Sequence, residues 1–166
     1  MSLPFFRRSA EAEVSHIVRL LDHGFDAALE LASFNADQPE AGGVVSFLGQ
    51  VRTGGGVEAL ELRHYAPLTL PGMKALASEA LRRWPLNGLL MIHRIGEMLP
   101  GDPIVLVATA ARHRRDAFAA AEFAMDHLKS ESWFWKREKV AGVWRWVEPR
   151  DVDFADLARW SDTAPV

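Results

Sequence analysis

The chain contains no cysteine. It therefore holds no disulfide, no thiolate metal site, no iron–sulfur ligation and no cysteine nucleophile. No apolar run approaches the roughly 18 residues that a membrane-spanning helix needs. Blocks of one charge are missing too: 19 basic residues stand against 22 acidic ones, a net charge of −3. That balance excludes a generally basic nucleic-acid binder and a highly charged disordered chain. Arg7 and Arg8 precede no apolar stretch, so a secretory signal is not expected and a reducing, cytoplasmic setting is. Repeats, low-complexity tracts and long linkers are also absent, which points to one compact unit.

What is present suits a globular protein. The 166 residues, 49% apolar and 25% charged, are enough for one domain with its own core. Six Trp accompany a single Tyr, and all of them except Trp84 lie beyond residue 130. Residues 94–150 hold ten Lys/Arg against eight Asp/Glu, so cations and aromatics concentrate together.

Periodicity predicts the elements. His16–Leu21 reads as a strand, and Phe25–Phe34 as a helix with Phe25, Ala28, Leu29 and Ala32 on one face. Val44–Arg52 and Val57–Tyr65 read as strands, and the short Thr53–Gly56 link predicts an antiparallel hairpin between them. Pro71–Trp84 is the clearest helix, ended by Pro85 and Gly88. Leu89–Ile95 and Ile104–Ala110 are strands, with Glu97 and Asp102 expected in turns. Arg115–Lys129 is helical, its apolar stripe read as Phe118, Ala121, Met125 and Leu128. Val143–Glu148 reads as a late strand and Phe154–Trp160 as a short helix. Short turns between strands give an α+β class, a mostly antiparallel sheet with packed helices. Residues 1–14 are expected to be a loose end, 15–150 the main domain, and 151–166 a C-terminal helix and tail.

Several groups could carry chemistry. The stretch Gly49–Gly56 lacks both the phosphate-loop and the dinucleotide pattern. It is either a flexible turn or a mobile loop that faces Arg52 toward an anion. Arg112-His113-Arg114-Arg115 falls between a strand and a helix N-terminus. Helix N-termini already attract anions, so this is a solvated basic turn or a phosphate site. Lys129 lies about 20° from Phe118 on a helical wheel, close to the stripe. It is a snorkelling C-terminal cation or a partly desolvated lysine available as base or nucleophile. Ser132–Glu138 combines three aromatics with Lys136 and Arg137. It is either an edge strand packing its rings or a platform for a flat anionic ring. His93 reads as structural, His64 adds no ligand spacing, and no metal or cofactor is expected.

Six blocks then occur in order: Phe47–Arg52, His93–Gly96, His113–Phe118, Met125–Lys129, Phe134–Glu138 and Trp146–Glu148. Together they resemble the large, catalytic subunit of molybdopterin synthase, the MoaE family, over about residues 15–150. The resemblance implies an α/β-hammerhead-like fold and sulfur transfer to cyclic pyranopterin monophosphate, forming the molybdopterin dithiolene. It implies a small ubiquitin-like partner with a C-terminal Gly-Gly thiocarboxylate, and a homodimer of large subunits within a heterotetramer. No nucleic-acid or membrane partner is implied. By the same resemblance Lys129 and Lys136 are the catalytic lysines, and Arg52, His113, Arg114 and Arg150 bind substrate. The loop Thr53–Gly56 is shorter, and His64–Met73 longer, than is usual in the family. The rival expectations are a non-catalytic anion- or nucleotide-binding module and an inactive scaffold for the small subunit. Beside a sulfur-transfer reading, the missing cysteine becomes a constraint: the sulfur must arrive on another molecule.

Overall fold

Asp26 starts the first helix. Its side chain accepts hydrogen bonds from the amides of Ala28 and Leu29 at 2.9 and 3.1 Å, which satisfies two otherwise free N–H groups. The computed structural model describes residues 14–130, 133–148 and 151–161. In chain order these form β1 (Ser15–Leu21), α1 (Ala27–Ala36), β2 (Gly43–Gln50), β3 (Val57–His64) and α2 (Ala66–Arg83). Then come β4 (Leu86–Arg94), β5 (Gly96–Met98), β6 (Pro103–Ala111), α3 (Arg114–Ser130), β7 (Phe134–Val140), β8 (Val143–Val147) and α4 (Asp151–Ala158).

The strands form two sheets. One runs β1-β4-β6-β2, with only the β1–β4 pair parallel. The other runs β5-β3-β7-β8 and is antiparallel throughout. The α+β class holds. β4 and β6 are apolar along their length because helices cover both their faces. Leu89, Met91, Val105 and Val107 face α2 and α3; Leu90, Ile92, Leu106 and Ala108 face α1. A smaller cluster of Val51, Leu60, Leu62 and Met98 lies under the second sheet.

Four expectations are corrected. The β2–β3 hairpin does not form: β2 pairs with β6, while β3 pairs with β5 and β7. The two strands belong to different sheets, so the glycine loop is a crossing between sheets. The helix expected from Pro71 begins at Ala66. Pro71 lies inside the helix on an exposed face and forgoes the bond its N–H would make to the Pro67 carbonyl, while the buried Thr69 hydroxyl donates to the Tyr65 carbonyl at 3.0 Å to hold the first turn. The 134–140 segment is an interior strand, not an edge. Finally, Phe118 is 61% exposed. Ala121, Met125 and Leu128 of the expected stripe are buried, and at its start the buried position is Ala117 in place of Phe118, joined by Ala120, Phe123 and Ala124.

α4 packs on α3. Trp160 Nε1 donates to Asp126 at 2.7 Å, and Arg159 pairs with Asp126 and Glu122 at 2.6 and 2.9 Å. Trp84, Phe123 and Trp160 meet edge to face, with centroids 5.2–5.9 Å apart.

Candidate active site

The turn between β6 and α3 carries the arginine cluster. Gly42 makes it accessible from β2: a Cβ there would lie 2.2 Å from the Arg112 carbonyl oxygen, so only glycine lets the two segments close. Gly42, Arg112, His113, Arg114, Arg115 and Phe118 line an open cavity of about 530 Å³. The His113 carbonyl accepts the Asp116 amide at 3.1 Å, and the residue itself is exposed. Positive side chains, a helix N-terminus and one exposed aromatic ring thus surround a space fit for a flat anion.

α3 then runs back along the sheet to Lys129. The lysine is exposed, because it follows Leu128 by one residue and so leaves the true stripe. Its Nζ stands 6.0 Å from the Phe47 ring centroid, with no hydrogen bond or ion pair among the described residues. The burial inferred from Phe118 on the helical wheel is therefore corrected. Phe47 itself is 40% exposed on the edge strand β2. Arg52, two residues past β2, is exposed and also without a partner among the described residues.

Lys136 sits on β7, opposite Leu62 and Val147. Its ammonium pairs with Glu138 at 2.7 Å. On the opposite face of this sheet Arg137 bonds Glu61 and stacks near Trp144 and Trp146, at 4.6 and 5.7 Å. That hydrogen bond holds the Glu61 carboxyl below its ordinary range.

Among the described residues, His93 is the one strongly shifted histidine. Burial pushes its imidazole down to about 4, so the ring is neutral near pH 7. Arg150 lies outside the described residues. Among those described, no group of His, Asp and Glu side chains could hold a metal ion, and no helix is long and apolar enough to cross a membrane.

The structure does not gather the expected residues into one cluster. The fifteen steps from Arg114 to Lys129 along α3 span roughly 22 Å at the helical rise. His113 and Arg114 stand where β2 begins and β6 ends, since Gly43 pairs with Ala111. Arg52 stands where β2 ends. Sequence reasoning missed Phe47 beneath Lys129, Glu138 beside Lys136 and Phe118 in the arginine cavity. The strand alternation Lys136-Arg137-Glu138 was the available signal for the second.

Residues 22–131 match the family model for the MoaE protein. The chain belongs to the MoaE family. This family member is 46% identical over 146 residues to the molybdopterin synthase catalytic subunit of Ralstonia nicotianae, covering 86% of this chain and 83% of that one. It is similar to the solved molybdopterin biosynthesis MoaE protein from Burkholderia ambifaria: TM-score 0.74, 44% identity, 89% of this chain and 99% of that one. It also resembles the solved molybdopterin synthase from Staphylococcus aureus, with TM-score 0.67, 29% identity, and 78% and 95% of the two chains covered. The enzyme expectation therefore holds: the chain is a catalytic subunit of the molybdopterin synthase kind.

Proposed function

We propose that this chain transfers sulfur from the thiocarboxylated tail of a small ubiquitin-like subunit to cyclic pyranopterin monophosphate, forming the dithiolene of molybdopterin. The observation that carries the reading is Lys129. It is an exposed, unpaired ammonium over an aromatic ring, in a chain that has no thiol of its own. The thiocarboxylate is already a sulfur nucleophile, so the protein's task is placement and charge. Lys129 supplies acid/base and electrostatic help as sulfur adds and water hydrolyses the acyl link. Lys136 stabilises the opening phosphate or the pterin. Arg52, His113, Arg114 and Arg150 grip phosphate by charge-assisted hydrogen bonds.

The roughly 22 Å between Arg114 and Lys129 exceeds the length of one pterin monophosphate. We therefore assign the two halves of each site to two copies of the chain, the arginine turn of one facing the lysines of the other. That supports a homodimer of large subunits with a small subunit at each end. Residues 15–150 form the catalytic unit, and α4 buttresses α3. The cysteine-free composition fits work in a reducing cytoplasm.

The test is direct. The protein is mixed with thiocarboxylated small subunit and the pyranopterin, and dithiolene product is measured. Stoichiometric product supports the reading. Binding of the pyranopterin without any product would leave a binding module or a scaffold in its place.

A further inference from the structure

Lys129 and Lys136 stand on different layers. The first ends α3, which packs on the β1-β4-β6-β2 sheet; the second lies in the other sheet. Backbone hydrogen bonds place each lysine within its own layer only. Their relation to each other is left to side chains that pack between the layers.

One such contact falls at the start of β7. The ring of His93, on β4, stacks on Phe134 with centroids 4.0 Å apart and planes 12° from parallel. Phe134 touches the core beneath α3 and also the small cluster under the second sheet. Lys136 follows Phe134 by two residues and so shares its face of the strand. Across β4 and β6, His93 pairs with Val105, and Val105 pairs with Gly49. A side chain at Gly49 would meet Val105 Cγ1 at 2.7 Å and Phe47 Cε1 at 3.3 Å, so these two groups close over the glycine. Lys129 stands over that same Phe47 ring. A continuous packed line thus runs from Lys129 through Phe47, Val105, His93 and Phe134 to the strand of Lys136.

Histidine suits this place better than an aliphatic side chain. Its flat ring stacks, and its Nδ1–H donates to the Arg94 carbonyl at 2.9 Å, which fixes the ring plane. Because the carbonyl only accepts, the tautomer is fixed as well. Burial keeps the ring uncharged near neutral pH, so it packs as an apolar plate.

We propose that His93 is a positioning residue: its backbone-locked ring, stacked on Phe134, sets where β7 holds Lys136 relative to Lys129. The catalytic consequence rests on the synthase reading above; the placement itself is geometric.

Two readouts on the full chain test it. The first is the rate at which Lys136 is acylated by an amine-reactive reagent, resolved by mass spectrometry against the exposed Lys74. The second is turnover in the assembled synthase. In H93L, Lys136 labelling shifts severalfold relative to Lys74. Its kcat falls about tenfold or more, while KM and small-subunit affinity stay within about twofold. H93F keeps the stack and recovers most of both. Should H93L fail to fold, F134L removes the same stack from the other ring and is read in the same way. Parental labelling and kcat in these variants overturn the proposal, as does a kcat loss that tracks the unfolded fraction, or an H93F variant as impaired as H93L. If the parent yields no product while Lys136 labelling responds as stated, the synthase reading fails and the positioning role stands.

Discussion

Lys136 and Glu138 lie two residues apart on one face of β7, and their side chains meet as an ion pair at 2.7 Å. Both are partly exposed, so the pair adds little to stability, about 1 kcal/mol or less. Its effect is on the lysine, whose ammonium is held along the strand instead of sweeping through solvent. E138Q is expected to unfold at nearly the parental temperature and to lose severalfold in turnover. A drop in melting temperature with unchanged turnover per folded molecule would contradict that role.

K129A is expected to abolish product while the fold and the complex with the small subunit persist. Circular dichroism and gel filtration check the fold and assembly; the dithiolene assay checks the chemistry. Substantial residual turnover would remove Lys129 from the catalytic role.

Replacing His113 and Arg114 by alanine removes anion contacts far from the lysines of the same chain. Each lost hydrogen bond to a charged group is worth about 1.5–3 kcal/mol, so KM should rise by about tenfold or more with a smaller change in kcat. Mixing this double variant with K129A tests the shared site. In a mixed dimer one site carries every substitution and the other carries none, so activity returns on mixing. Assayed at substrate well below the raised KM, where both variants turn over poorly, activity that stays low after subunit exchange would confine the site to one chain.

His93 gives stability a defined pH dependence. Its folded value is about 4, against 6.5 for the free group. Between those values the unfolded chain binds a proton that the folded chain does not, so stability rises with pH and levels off above about 6.5. At about 1.4 kcal/mol per unit, the change is on the order of a few kcal/mol. Glu79, held down to about 2 by hydrogen bonds from Arg82 and Arg83, loses its share lower, between 4.5 and 2. Urea midpoints measured from pH 4 to 7 should therefore climb in the parent and flatten in H93F. An equal slope in both proteins would assign the upper window to another group.

Much of this molecule was legible from its residues. The helix near Phe25–Phe34, the apolar runs that became β4 and β6, and the arginine turn before α3 are local signals, set by side-chain period and composition over a few residues. The absence of cysteine is equally local, and it requires the sulfur to come from elsewhere. Lys129 and Lys136 emerged from ordered motifs, which report chemistry without geometry. Tertiary structure decided the rest. β2 and β3 looked like a hairpin because a short glycine loop joins them, yet each found a better partner far along the chain. Phe118 looked like core because it begins a stripe whose other members, Ala121, Met125 and Leu128, are buried, but the neighbouring Ala117 takes the inward place and Phe118 faces out. The stacking of His93 on Phe134, and the length of helix between Arg114 and Lys129, follow from those choices. Strand partners and helix faces are settled by competition among distant segments for the same buried surface, and no window of neighbouring residues contains that competition.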